Sequence, residues 1–357
     1  MTKSDIARLR LHNQRIAYAT IEKPSDVVAW LGAVQAQDYL GALWAVGLRM
    51  RNAVEADVEQ ALADRKIIRT WPMRGTLHFV AAADIRWMLE LLTPRVVANI
   101  RQYLLREFDL DEGAFARSKD LFARALQGGK RLTRNAMYEV LDAGGVSAGQ
   151  RGRHILTRLA QDGFICFGAR EGKQQTFALL EEWAPAARRM ARDESLAEIA
   201  KRYFTGHGPA TLQDFAWWSG LTTADATAGL EMAKRSLVQE NIKGQTYWLA
   251  SSILATKDSS PTAYLLPAFD EYTVAYKDRS AVLDPTFGKQ ANPGNGILYP
   301  TIVVDGQVIG TWKRTLKKDS LAISPSPFAK FMRAETRALA KAANRYGKFL
   351  GASVVSP

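Results

Sequence analysis

The sequence predicts an α+β protein with three tandem winged-helix units and a C-terminal β-barrel-like domain. Three observations carry this reading. An order of helices followed by a hairpin recurs three times. The texture changes after Pro261 to strand-like runs with one final helix. At 357 residues the chain is too long for one compact module. The expected segments are 1–110, 111–185, 186–260 and 261–357.

In the first segment, Ile6-Ala7-Arg8-Leu9 opens an amphipathic helix. A second starts at Pro24-Ser25-Asp26, with Ser25 as N-cap, and runs through Val27, Val28, Trp30, Leu31 and Val34. A third covers 54–64, with acidic residues early and Arg65-Lys66 late, as the helix dipole favours. Strands at 67–71 and 76–80 flank Pro72-Met73-Arg74-Gly75, and a helix over 82–110 breaks at Pro94. The order returns with helices at 111–127, 133–141 (capped by Thr133) and 148–161, then a hairpin of 164–167 and 176–179. Its last helix is the recognition-helix candidate and carries Arg151, Arg153, His154 and Arg158. The third unit has a helix at 194–204, a turn at 206–210, a helix capped by Thr211, a helix at 223–237 and strands at 238–242 and 246–249 joined through Lys243-Gly244-Gln245. Trp217-Trp218 read as its core. In the last segment, 263–269, 272–275, 296–304 and 307–313 read as strands, Asp305-Gly306 as a two-residue hairpin turn, and 330–346 as a helix. The Gly-, Pro- and Asn-rich stretch 284–295 is expected to be mobile.

Composition narrows the class. Hydrophobic residues at 47% and charged residues at 24% fit a folded globular chain, and no apolar run reaches membrane-spanning length. The N-terminal stretch lacks the apolar core of a secretory signal, and the single cysteine, Cys166, has no internal partner, so a cytoplasmic, nucleoid-associated protein is expected. His12, His78, His154, Cys166 and His207 have no metal-ligand spacing, and neither metal nor cofactor is expected. The net charge of +12 favours a polyanionic partner, for which nucleic acid is the first candidate.

The basic clusters are Lys130-Arg131 with Arg134, the recognition helix, Arg188-Arg189 with Arg192, and Lys313-Arg314 with Lys317-Lys318. Each alone reads as a solvated face; on a scaffold of DNA-reading motifs they read together as phosphate contacts. Gly145-Val146-Ser147-Ala148-Gly149 matches a hydrolase nucleophile elbow, but a helix precedes it where the elbow needs a strand. No glycine loop leads into Lys-Ser/Thr, which argues against an NTPase. Asp270-Glu271 follows an apolar strand and could do acid–base work, cap a turn, or pair with Arg279. Gln35-Ala36-Gln37-Asp38 falls at the end of the second helix, where composition alone reads a solvated helix end.

Several stretches together resemble the AlkZ/YcaQ-type winged-helix DNA glycosylases. They are Leu31-Gly32-Ala33-Val34-Gln35-Ala36-Gln37-Asp38, the run from Arg69-Thr70-Trp71 to Thr76-Leu77-His78, the run from Gly208-Pro209-Ala210 to Ser219-Gly220-Leu221, Leu265-Leu266-Pro267-Ala268-Phe269-Asp270-Glu271-Tyr272, and the run from Val303-Val304-Asp305 to Trp312-Lys313-Arg314. The resemblance covers nearly the whole chain and implies the same tandem winged-helix fold with a C-terminal barrel. It implies excision of alkylated purines, or unhooking of interstrand crosslinks, from double-stranded DNA by a monomeric, monofunctional enzyme. Gln35 and Gln37 match the Gln-x-Gln catalytic motif of the AlkZ-like branch, which overturns the helix-end reading. Candidate DNA contacts are Arg74, His78, Lys130, Arg131, Arg134, Arg151, Arg153, His154, Arg158, Trp312, Lys313, Arg314, Lys317 and Lys318. A DNA-engaging hairpin of the last domain has its nearest match in Asp305-Gly306 and the basic stretch after it. The competing readings are a non-enzymatic winged-helix regulator, a relative that has lost activity, and a hydrolase using Ser147.

Overall fold

Thr2 opens the first helix, Lys3–Asn13, by accepting the amide of Asp5 while the Asp5 carboxylate takes the Thr2 amide, a capping box. The structure is a computed structural model that describes residues 2–242, 244–250, 261–294, 296–317 and 320–355. The chain forms two compact units, each discontinuous in sequence. One comprises Met1–Glu59, Leu196–Trp218 and Thr222–Pro357; the other comprises Gln60–Ser195 with Ser219–Leu221.

The second unit contains the antiparallel pair Ile67–Met73 and Thr76–Ala81. Arg74 (φ 54°) and Gly75 (φ 69°) form its tight turn, and the register slips between Thr70 and Met73, where Pro72 has no amide to give. Helix Ile85–Phe108 follows, and the break expected at Pro94 is absent: the helix runs through it. Pro94 costs one intrahelical bond. Burial of Trp87, Met88, Leu89 and Leu92 in the preceding turns offsets that cost. Helices Glu112–Leu126 and Arg134–Ala143 start at the caps Asp111 and Thr133. The third helix is shorter than expected, Gly152–Gln161, because Gly145 and Gly149 hold positive φ and keep 145–149 a loop. Strands Ile165–Phe167 and Thr176–Leu179 pair antiparallel, with Leu132–Thr133 added at the far edge. Phe115, Phe122, Met137, Ile155, Leu159 and Phe177 fill the core beneath these elements.

In the first unit, helix Pro24–Leu31 begins two residues earlier than a Ser25 cap implied. Lys23 is its N-cap and Pro24, with φ preset, occupies the first turn; the Ser25 hydroxyl turns to Asp26 instead of capping. The helix stops at Gly32 (φ 78°), so Val34 is not helical but starts the strand Val34–Gln35. Asp38 then caps a further helix, Tyr39–Gly47, that the sequence reading did not separate. Its mostly apolar residues are buried on nearly all sides and show no amphipathic period to detect. Helices Arg192–His207, Leu212–Ser219 and Thr223–Ala233 and the hairpin Val238–Ile242/Gln245–Leu249 follow in the expected order. Lys243, one of the three residues assigned to that turn, lies outside the described residues, as do Ser259, Ser260 and Asn295. Trp218 is core as expected, but Trp217 is 48% exposed, because neighbouring helix positions point about 100° apart.

A curled half-barrel sheet closes this unit, in the order Ser353–Val355, Ser320–Pro327, Gln307–Lys317, Thr301–Val304, Ala263–Leu266. The two-residue turn is as read: Asp305 and Gly306 both have positive φ between paired Val304 and Gln307. The expected strand 272–275 is instead the short helix Glu271–Val274, because the Asp270 carboxylate caps the Tyr272 amide and turns the chain. The strand expected at 296–304 shrinks to Thr301–Val304. Within 284–295 the Asp284 carboxylate caps a 3-10 turn, Pro285–Phe287, followed by the helical turn Gly288–Ala291. The final helix, Arg333–Leu350, packs on strand Ala263–Leu266 and on helix Tyr39–Gly47 through Trp44, whose ring lies 4.9 Å from Tyr346 and 5.0 Å from Phe349. Trp44 Nε1 donates to the Leu265 carbonyl and Trp312 Nε1 to that of Leu266, so the helix following the glutamines is tied to the sheet.

Candidate functional site

The stretch with the two glutamines is a connector between a two-residue strand and a capped helix. Ala33, Val34 and Ala36 are fully buried and anchor it. A Cβ at Gly32 would lie 3.2 Å from the Trp218 ring, so the chain enters the site through a position that needs both glycine's left-handed φ and its small size. Gln35 is 8% exposed, whereas Gln37, two residues on, is exposed. Gln35 Nε2 donates to Gln37 Oε1 at 2.8 Å, so the two carboxamides form one hydrogen-bonded pair at the surface. Asp38 is not part of that pair; its carboxylate takes the amide of Gly41.

Behind the pair lies a buried polar cluster. The Gln35 amide donates to Glu271 Oε1 at 2.9 Å, and the indole of Trp218 donates to Glu271 Oε2, also at 2.9 Å. His207 Nε2 lies 3.6 Å from the same oxygen, and its ring stacks on Tyr203 at 4.9 Å. Glu271, His207 and Trp218 are fully buried. Asp270 beside it is gripped by Arg49 through two bonds of 2.8 and 2.9 Å. Neither carboxylate of the Asp270-Glu271 pair therefore faces solvent as a free acid, and Arg279 is not their partner: its Nε donates to the Thr273 carbonyl.

The other sequence candidates divide by burial. His78 is fully buried, with Nδ1 against the Thr76 carbonyl and Nε2 near Arg74, so it is a packing residue and not a surface contact. Trp312 is likewise buried, because its indole serves the sheet. Arg158 is spent on Asp162 and Glu112 at 3.0 Å each and is largely buried. Arg151 donates to the Asp109 carbonyl, and His154 lies over the Phe108 ring, where burial and Arg153 hold its pKa below the usual imidazole value. Lys130, Arg131, Arg134 and Arg153 are exposed, as are Lys313 and Lys317. Arg314 leans on Tyr346, Arg74 is half-buried, and Lys318 lies outside the described residues.

In the Asp305-Gly306 turn Asp305 is exposed and Gly306 is buried. A Cβ at Gly306 would meet Ala7, and its carbonyl accepts from Tyr272. The basic residues sit at the opposite end of the long pair Gln307–Lys317/Ser320–Pro327, where Lys317 pairs with Ser320. Ser147 sits in the loop between two helices, so the strand a nucleophile elbow requires is absent there. Among the described residues no group of three or more His, Cys, Asp or Glu side chains is placed to hold a metal, and no helix is long and apolar enough to cross a membrane.

A sequence profile of the family described as DNA glycosylase AlkZ-like matches residues 28–349. The chain belongs to the AlkZ-like family. Its two glutamines and the cluster behind them lie within the matched span. A protein from Streptomyces sahachiroi named "Interstrand DNA cross-link repair glycosylase" is 28% identical over 341 residues, covering 89% of each chain. The solved structure of Streptomyces sahachiroi DNA glycosylase AlkZ superposes with a TM-score of 0.83 at 24% identity over the whole of both chains, so the two share a fold.

Proposed function

We propose that this protein is a monofunctional DNA glycosylase that removes cationic alkylated purines from duplex DNA and unhooks interstrand crosslinks, with Gln35 and Gln37 positioning the water. The observation that carries this is the 2.8 Å carboxamide pair, one member buried and fixed, the other exposed, in a chain of a DNA glycosylase family. The name of the Streptomyces sahachiroi relative supports the crosslink.

The chemistry suits the residues. As a glycosidic bond breaks, positive charge builds on the sugar. An alkylated purine already carries its charge and leaves as a neutral base, so no strong general acid is required. What remains is to hold a water beneath the anomeric carbon. Carboxamides donate and accept, and so can orient that water, but they cannot protonate the leaving base, as loss of an undamaged, neutral purine would require. The pair thus selects its substrate by chemistry. Exposed Lys130, Arg131, Arg134, Arg153, Lys313 and Lys317 supply phosphate contacts, and the +12 charge draws the polyanion in. In this reading the chain is a monomer made of three winged-helix units and a barrel-like domain. The helix and hairpin order within 111–185 is the clearest support for that division.

The test is single-turnover base release from a duplex carrying one N7-alkylated guanine, and strand separation of a crosslinked duplex. Wild type is expected to release the base. Gln37→Ala, which removes one preorganised polar group, is expected to lose about 10²–10³ in rate. Because Gln37 is exposed, DNA affinity and melting temperature should hold. No release from either substrate, with tight sequence-specific binding to undamaged DNA, would instead favour a regulator.

A further inference from the structure

We infer that Glu271, braced by Trp218 and His207, is a positioning residue that sets the orientation of Gln35; this rests on the proposed role of the glutamine pair. The carboxylate is fully buried, so it does not meet DNA. Both of its oxygens are nevertheless engaged with named partners. Oε1 takes the backbone amide of Gln35, and Oε2 takes the indole of Trp218 with His207 Nε2 at 3.6 Å. One side chain thereby joins the strand Val34–Gln35 to the ends of helices Arg192–His207 and Leu212–Ser219. Its own place is fixed because Asp270, one residue before it, is clamped by Arg49 and caps the turn that carries Glu271.

The neighbouring acids show what is unusual here. Asp270 serves Arg49, and Asp214 serves the amides of Thr211, Lys277 and Asp278. Those are structural duties within the core. Glu271 reaches instead to the residue that donates to Gln37, across 236 positions of sequence. A shift of the Gln35 backbone would be passed to the carboxamide pair, and a misplacement of about 1 Å can cost about 10²-fold in rate.

Glu271→Gln replaces one of the two acceptor oxygens by an amide N–H, which then faces the donor of either the Trp218 indole or the Gln35 backbone. The expected result is a fall of about 10²-fold in single-turnover excision with the Kd for damaged duplex unchanged within about twofold. Hydrogen exchange of the Gln35 amide is expected to quicken in the same variant while the core amides of helix Arg333–Leu350 keep their protection. A folded variant that excises at the wild-type rate, or that loses rate only in proportion to lost DNA binding, would overturn the inference. Should the variant not fold, exchange in wild type decides: a Gln35 amide as fast as that of exposed Gln37 would also overturn it. Failure of the glutamine assignment reads differently. In that case Gln35→Ala and Gln37→Ala keep wild-type excision, whatever the Gln35 amide does.

Discussion

Substituting Asp270 by Asn gives the sharpest test of how this core is held. Arg49 and Asp270 are both fully buried and meet through bonds of 2.8 and 2.9 Å. Arg49 also donates to Gln14 Oε1 at 2.7 Å and to the Ala45 carbonyl at 2.8 Å. In Asp270→Asn the cap on the Tyr272 amide survives through the remaining oxygen, but an amide N–H now faces the guanidinium and a buried positive charge loses its counter-ion. Breaking such a pair from one side costs about 3–5 kcal/mol. Arg49→Met leaves the opposite charge and should cost about the same, so additive behaviour would put the double variant Arg49→Met/Asp270→Leu at about 6–10 kcal/mol. The double variant buries no charge, however. It loses a helix cap, about 1 kcal/mol, and leaves Gln14 Oε1 without its donor, about 1–3 kcal/mol. Its expected cost is therefore about 2–4 kcal/mol, and the coupling at least about 2 kcal/mol. Urea titrations of the four proteins, with unchanged slopes, measure it. Additive single costs, or an Asp270→Asn cost under about 1 kcal/mol, would refute the claim that the fully buried charges are interdependent.

Other outcomes follow from burial and charge. Cys166 in one unit and Tyr203, Tyr272 and Tyr276 in the other are fully buried, and burial is the largest cause holding their pKa values above the ordinary thiol and phenol values. The folded state keeps these protons while the unfolded chain loses them. Stability is therefore full below about pH 9 and falls above it, by about 1.4 kcal/mol per pH unit for each group that the unfolded state has ionised. Urea midpoints at pH 8, 9 and 10.5 should show the decline, and Cys166→Ala should remove its earliest part; a flat profile would contradict it. Gly47→Ala drives a Cβ into the Phe349 ring and should cost about 1–3 kcal/mol in thermal or urea melts, with Gly47→Ala/Phe349→Leu recovering part. Replacing Lys130, Arg131 and Arg134 by Ala should reduce the salt slope of DNA binding by up to about 2.7, with excision by the saturated enzyme unchanged. An unaltered slope would remove that cluster from the interface.

The elements most legible in the sequence are those with local causes. Thr133 and Thr211 cap where they were read to cap, and Asp305-Gly306 turns where its φ preference demands. The misreadings come from tertiary context. The apolar run after Asp38 is a helix buried on nearly all sides, so it gave no period, and Pro94 failed to break a helix whose preceding turns are buried. Tyr272-Thr273-Val274 has strand propensity in every residue and still forms a helical turn, because Asp270 is held as its cap by an arginine 221 residues earlier. His78, Trp312 and Arg158 have the right residue types for DNA contact. Their burial and ion pairing depend on neighbours that no motif encodes.

The site was hidden for a related reason, and the reason bears on its chemistry. Searches for active sites look for titratable groups pushed away from their normal pKa, or for clustered metal ligands. Such signatures arise where an enzyme must supply a strong acid, base or nucleophile. The glutamines have no charge to perturb, and by composition alone they pass for a solvated helix end. Under the proposed function the leaving group brings its own positive charge, and a neutral pair that cannot protonate an undamaged base is the fitting instrument. Local pattern can show only that half of the arrangement. The other half is a carboxylate that never reaches the substrate and lies 236 residues away, and only the fold brings it within 2.9 Å of the Gln35 amide. Under the proposed function, a site that draws its selectivity from weak groups must hold them still, which is the role inferred above for the buried Glu271.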